Sequence, residues 1–224
     1  MLYIVSTPIG NLKDITFRAV ETLKNVDLIA AEDTRRTQIL TRHYQIDTPL
    51  TSYFEHNQFL KGEYLLKLLK DGKDIALVTD AGTPGISDPG YQLIQLAKEN
   101  DIPITVVPGP TALIAALTAS GLPCHNFIFE GFLPVKSAAR RKKLESLKEE
   151  KRTIVFYESP HRLLKALKDI EEVWGDPVIV CARELTKKFE EVKKDSAQKL
   201  REHFTKVEPK GEFVLLVHLG ARNS

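Results

Sequence analysis

The densest concentration of residue types suited to chemistry is the stretch Asp80-Ala81-Gly82-Thr83-Pro84-Gly85-Ile86-Ser87-Asp88-Pro89-Gly90. Its glycines let the backbone turn and approach a ligand closely, its prolines fix φ and remove N–H groups, and its hydroxyls and carboxylates offer polar contacts. Asp88 as an N-cap and Pro89 at the first helical position explain the end of the loop as an ordinary turn. Gly82, Thr83 and Gly85 lengthen it beyond what such a connection needs. The spacing also excludes familiar chemistries. Gly85 to Gly90 has the glycine spacing of a Walker loop, but Tyr91-Gln92 stands where Lys-Ser/Thr is required, and GxGxxG occurs nowhere. The same six residues are one too many for GxSxG, so there is no hydrolase nucleophile elbow. The six histidines are scattered without HExxH or cysteine partners, and no metal is expected.

The elements that position this loop follow from the apolar pattern. Ile75-Ala76-Leu77-Val78 is a buried strand leading into the loop, and residues 91–100 form a helix with Leu93, Ile94 and Ala97 on one face. Leu2-Tyr3-Ile4-Val5 is another buried strand and Ile104-Thr105-Val106-Val107 a further strand, ending in Ser6-Thr7-Pro8-Ile9-Gly10-Asn11 and Pro108-Gly109-Pro110-Thr111. Three Pro/Gly loops following three strands make one site at the carboxyl edge of a sheet, where open α/β folds bind ligands. Further strands are expected at 27–31 and 50–53, with helices at 14–24 and 62–71. Glu32-Asp33-Thr34-Arg35-Arg36-Thr37 either caps the helix through Leu40 or does chemistry; acids suit a helix start and adjacent arginines do not. In residues 112–120, Ala112, Ala115, Ala116 and Ala119 lie on one side and Leu113, Ile114 and Leu117 on the other. The alanines permit close approach of a flat ligand or of the sheet itself.

Residues 121–126 form the expected junction between an N-terminal α/β domain, 1–120, with a mostly parallel five-stranded sheet, and a C-terminal α/β domain, 121–224, with a mixed sheet. In the second domain, strands are expected at 127–129, 153–157, 178–182, 190–193 and 212–218. Helices are expected at 138–151, 161–174 and 196–204. The 42% hydrophobic and 28% charged content is ordinary for a soluble protein, and a net charge of +2 is too small to announce nucleic acid by itself. Cys124 and Cys181 form no CxxC and are expected to be packed, reduced thiols of a cytoplasmic protein. No apolar run approaches a membrane span, and no basic leader precedes the first strand. A cofactor held by shaped loops suits methyl transfer from a sulfonium, where in-line positioning is worth about 7–11 kcal/mol without metal or nucleophile.

Seven ordered segments carry a resemblance to a known family: 6–12 (STPIGNL), 31–35 (AEDTR), 79–90, 107–112 (VPGPTA), 156–162 (FYESPHR), 182–187 (ARELTK) and 211–213 (GEF). In these the chain resembles the tetrapyrrole methylase superfamily and, within it, the bacterial family of 16S ribosomal RNA 2′-O-methyltransferases. The resemblance implies S-adenosylmethionine in a cleft between two α/β domains. It implies contacts from Pro8, Ile9, Asp80, Gly82, Thr83, Ile86, Thr111 and Ala112, with Tyr157, Leu185 and Gly211 closing the cofactor from the second domain. It further implies a homodimer acting on 16S ribosomal RNA or the small ribosomal subunit, at the ribose 2′-hydroxyl of a cytidine in the decoding region. The general base is unassigned: Glu32, Asp33, Glu158 and Glu184 are candidates, with Arg35 and Arg183 as partners. Arg140-Arg141-Lys142-Lys143 is a compact basic run, read as a solvated helix face whose buried side is marked by Leu144 and Leu147, with modest support for RNA. Family members commonly continue into a small helical segment beyond the last strand, whereas these 224 residues end at Ser224. A methyltransferase for a small planar substrate such as a tetrapyrrole is the rival enzyme, and an adenosyl-ligand or RNA-binding module the non-enzymatic rival.

Overall fold

The computed structural model describes residues 1–87 and 90–220, so the expected cap and first turn at Asp88 and Pro89 lie outside the described residues. Two compact units divide the chain, Met1–Thr111 and Ala112–Ser224.

The first unit alternates strand and helix: β1 (Leu2–Val5), α1 (Phe17–Asn25), β2 (Leu28–Ala31), α2 (Thr34–His43), β3 (Leu50–Ser52), α3 (Gln58–Lys70), β4 (Ile75–Val78), α4 (Tyr91–Glu99) and β5 (Ile104–Val107). The strands pair in parallel in the order β3-β2-β4-β1-β5. Alternation along β4 shows why such strands read as unbroken apolar runs. Ile75 and Leu77 pack with Leu65 and Leu69 of α3 and Leu93 and Ala97 of α4, while Ala76 and Val78 pack with Ala19 and Leu23 of α1 and Leu40 of α2. Two boundaries differ from expectation. The helix expected from residue 14 starts at Phe17, because the Thr16 hydroxyl accepts the Ala19 N–H; Leu12–Asp14 forms a single 3-10 turn instead. Helix α3 starts at Gln58 rather than 62, its entry set by Asn57, whose Oδ1 accepts the Phe54 N–H.

The second unit opens with α5 (Ala112–Ala119), followed by β6 (Phe127–Phe132), α6 (Ser137–Ser146), β7 (Thr153–Glu158), α7 (Leu163–Trp174), β8 (Val178–Arg183), β9 (Glu191–Ser196), α8 (Ala197–Lys206) and β10 (Phe213–Val217). The sheet order is β6-β7-β10-β8-β9, with β6 and β7 parallel and the other pairs antiparallel, the mixed sheet expected. Helices α6, α7 and α8 cover one face through Leu144, Leu163, Leu167, Ile170, Leu200 and Phe204. The division at Ala112 falls before the expected junction at 121 because α5 packs against β10. Its buried face is Leu113, Ala116, Leu117 and Ser120, the i, i+3, i+4, i+7 stripe; Ala119 is exposed, so the alanine side is not the packing face. Cys181 is buried, which pushes its thiol pKa up. Cys124 is exposed, contrary to expectation, on the connection ahead of β6.

Residues paired across a sheet share a face. Tyr157, Val214, Ala182 and Val192 therefore form one row across β7, β10, β8 and β9. Val155, Leu216, Val180 and Lys194 form the next row on that same face.

Candidate active site

Because β4, β1 and β5 are consecutive in the sheet, the three Pro/Gly loops that follow them lie side by side. The first two are joined by an antiparallel bridge: the Thr7 N–H donates to Gly82 O at 2.9 Å and the Gly82 N–H to Thr7 O at 3.0 Å. The Thr7 hydroxyl donates to Thr79 O at 3.0 Å, and the Ser6 and Thr83 hydroxyls share a 2.8 Å hydrogen bond. The third loop joins through the Ser6 N–H, which donates to Val107 O at 3.2 Å. Gly109 packs so tightly there that a Cβ would stand 2.9 Å from the Ser6 Cβ.

Gly82 holds φ at 82°, a left-handed conformation that a side chain strains, and a Cβ on it would lie 3.8 Å from Pro110 O. This brings Pro8, Ile9, Gly82, Thr83 and the segment before Thr111 together. Ile9 is buried and Ile86 is 40% exposed, so Ile86 presents an apolar side chain outward from a polar loop. Ser6 and Gly109 dock the loops on one another, a role that their residue types did not disclose in advance.

An acidic group sits at the ends of β2 and β4. The Asp80 N–H donates to Glu32 Oε2 at 3.2 Å, and the Asp33 N–H donates to Asp80 Oδ1 at 3.1 Å, so each strand's acid binds the other strand's backbone. Asp33 caps α2 through the Arg35 N–H and holds the Arg35 guanidinium at 2.8 Å, which lowers its carboxyl pKa to about 2. Arg36 pairs with Asp80 at 3.2 Å. These carboxylates offset the two cations that oppose the dipole at the start of α2. Among the described residues Glu32 has no cation within ion-pair distance; partial burial pushes its carboxyl pKa up, opposed by the Asp80 amide.

In the second unit the Tyr157 hydroxyl accepts the Leu113 N–H at 3.2 Å, which ties β7 to the start of α5 beside Ala112. The Phe129 and Phe132 rings meet Tyr157 edge-on. Leu185 lies between two residues in left-handed conformation, Glu184 at φ 49° and Thr186 at φ 66°. Three groups hold that turn: Lys187 Nζ bridges Glu184 at 2.9 Å and Glu212 at 3.0 Å, and the Glu212 N–H donates to Glu184 Oε1 at 3.1 Å. Gly211, at φ 88°, makes room for the Glu184 carboxylate, which a Cβ would overlap. Burial alone pushes the Glu184 pKa up, but Lys187 and the Glu212 amide outweigh it and hold it low.

Other candidate acids and bases have partners of their own. Glu158, at 1% exposed, accepts the Ser159 N–H at 2.8 Å and pairs with Arg162; burial pushes its pKa up against these partners. Arg183 pairs with Glu191 at 2.8 Å. The basic run is only in part the solvated face expected: Arg141 and Lys142 are exposed, but Arg140 is not. Arg140 is buried against Asp169 of α7 at 2.6 Å and donates to the Pro134 and Val135 carbonyls, Arg141 joins Asp169 and Glu172, and Lys143 joins Glu130. Leu144 and Leu147 are buried as expected. Among the described residues no helix is long and apolar enough to cross a membrane.

Residues 1–201, which hold the parallel first sheet with its three zipped loops and most of the mixed second sheet, match the family of tetrapyrrole (corrin/porphyrin) methylases in sequence, and the chain belongs to that family. More particularly, it is 52% identical over 218 residues to the ribosomal RNA small subunit methyltransferase I of Synechocystis sp., covering 97% of this chain and 78% of that protein. It is 50% identical to the protein of that name in Thermotoga maritima, covering 96% of this chain and 97% of that one. Of solved structures, uroporphyrin-III C-methyltransferase from Thermus thermophilus complexed with S-adenosyl homocysteine aligns with a TM-score of 0.69 and 19% identity, over 97% of each chain. The resemblance to this family is thus borne out, as are a parallel and a mixed sheet of the expected kinds.

Proposed function

We propose that this chain transfers a methyl group from S-adenosylmethionine to small-subunit ribosomal RNA, at the ribose 2′-hydroxyl of a cytidine in the decoding region. The observation that carries it is identity near 50% over almost the whole chain to proteins named ribosomal RNA small subunit methyltransferase I. The proposal includes a homodimer working in the cytoplasm without a metal ion. The basic run on α6 lends little to it, since Arg140, Arg141 and Lys143 are paired with carboxylates.

The residues present fit the cofactor. Gly82 keeps a left-handed turn that a side chain would strain, Gly109 lets the third loop close on Ser6, and Ile86 offers an exposed apolar wall beside the Thr83 hydroxyl. Pro8, Ile9, Asp80, Gly82, Thr83, Ile86 and Thr111 of the first unit would hold it, and Ala112, Tyr157, Leu185 and Gly211 are the candidates of the second. When bound, S-adenosylmethionine supplies a methyl group on a sulfonium that departs as a neutral thioether. The bond formed is from the ribose oxygen to the methyl carbon, the bond broken is carbon to sulfur, and the hydroxyl proton needs an acceptor. We assign that role to Glu32, the one of the four candidate carboxylates without an ion-pair partner among the described residues. Hydrogen bonds among the loops themselves hold their shape, which limits the ordering cost of binding.

Small subunits from cells lacking the protein should accept a methyl group from S-adenosylmethionine, and mass spectrometry of the nucleosides should show 2′-O-methylcytidine. Transfer to a porphyrinoid acceptor but not to subunits would replace this function with the tetrapyrrole one, and binding without any transfer would leave a sensor. Ile86→Ala and Thr83→Val are each expected to weaken cofactor binding roughly tenfold in calorimetry, the scale of about 1–2 kcal/mol for a lost apolar or hydroxyl contact. Unchanged affinity in both would put the site elsewhere.

A further inference from the structure

The outer edge of the second sheet combines features that no role so far uses. Strand β9 stands last in the order and pairs only with β8. The turn before it carries Phe189, 67% exposed, with Lys188 Nζ 5.6 Å from the ring centre. On the strand, Val192 is 40% exposed and Lys194 is exposed two residues further on, on the same face. That face is the one bearing Tyr157, since Val192 stands in the Tyr157 row and Lys194 in the next.

The nearby carboxylates do not neutralise these lysines. Glu191 is taken by Arg183 at 2.8 Å, Asp195 faces Lys199 at 3.5 Å and accepts the Ser196 N–H, and the Glu190 carboxylate accepts the Thr186 N–H. Lys188 and Lys194 have no carboxylate partner among the described residues.

We propose that Lys188, Phe189, Val192 and Lys194 form the surface on which the single-stranded RNA substrate lies, the ring stacking on a base and the lysines meeting phosphates. The proposal rests on the RNA function given above. Unpaired cations beside an exposed ring suit a polyanion with flat bases, the combination by which single strands are held. A protein strand is the less suitable occupant, because lysines on a sheet edge repel strand addition.

The test uses the full chain, a fluorescein-labelled single-stranded RNA containing the methylated cytidine and its neighbours, and assembled small subunits. Phe189→Ala should raise the RNA dissociation constant about 5- to 150-fold, the equivalent of one lost stacking contact. Lys188→Gln with Lys194→Gln should flatten the slope of log K against log salt by about 1.4, two phosphate contacts at ~0.7 each. Cofactor affinity by calorimetry should stay unchanged in all variants. RNA affinity and salt slope equal to the parent's would overturn the assignment, and if the lysine variant also aggregates, the lysines merely guard a free edge. A parent chain that binds the cofactor but neither binds nor methylates any RNA would overturn the function itself, which the variants alone do not test.

Discussion

An Asp169→Ala chain is expected to be less stable than the parent by about 3–5 kcal/mol, because removing one member of a buried ion pair strands the other charge. Arg140 and Asp169 are each 3% exposed, and Asp169 also receives the Ser137 hydroxyl and Arg141. For a chain of this size the melting temperature should fall by roughly 6–20 °C, read by circular dichroism. Replacing both partners, Arg140→Met with Asp169→Leu, should recover much of the loss, since an apolar pair of similar volume removes the stranded charge. Acid should act in the same direction. Burial by itself pushes the Asp169 pKa up, but the Ser137 hydroxyl and the Arg140 and Arg141 guanidiniums outweigh it and hold it below the ordinary value. A pKa lower in the folded than in the unfolded chain gives a contribution that is complete above about pH 4 and is lost as pH falls through the folded value. The parent's advantage over Asp169→Ala should therefore shrink only below that pH. A loss under about 1 kcal/mol at neutral pH would mean that Arg140 finds another partner.

Glu32→Gln should lower kcat by about 10²–10⁴-fold, the usual worth of a general base, while leaving cofactor affinity unchanged. Glutamine keeps an oxygen for the Asp80 N–H, so the brace between β2 and β4 survives and the loss is one of proton transfer. The parent should lose activity on acidification through a pKa above that of an ordinary glutamate, since the base works ionised and burial raises it. The variant should lack that limb. Equal kcat in parent and variant would remove Glu32 from the reaction and return attention to Glu158, whose burial is greater but which is already held by Arg162 and the Ser159 N–H.

Strands β4 and β5 were legible to the residue, β4 because a parallel strand covered on both faces must be apolar throughout, and both because Pro/Gly loops stop them sharply. Their neighbourhood was not. That the loops after β4, β1 and β5 adjoin depends on strand order, and strand order is set by long-range pairing that no local pattern encodes. The site was legible as loops and motifs; the ties among them, such as Ser6 to Thr83 or Gly109 against Ser6, join residues far apart in the chain. The α6 run was misplaced for a similar reason. Its arginines look solvated when only α6 is considered, while Asp169 lies with Ala166 and Ile170 on the buried stripe of α7. A carboxylate at such a position demands a cation, and that was the available sign. The part Lys187 plays in holding its turn was not legible, because its partners, Glu184 and Glu212, come from a turn and from the approach to β10.

The bridge between Thr7 and Gly82 also decides the polarity of the loop edge. The amide hydrogens of Ser6, Thr7, Gly82 and Ile86 all point into hydrogen bonds within the loops, to Val107, Gly82, Thr7 and Thr83. A phosphate cradle works by the opposite arrangement, with a run of amide hydrogens left converging on open space. Here the Asp80 carboxylate stands close by in place of a lysine, and the edge is electron-rich. Such an edge repels a triphosphate and attracts the positive end of a ligand, so glycine-rich loops alone are no mark of anion binding.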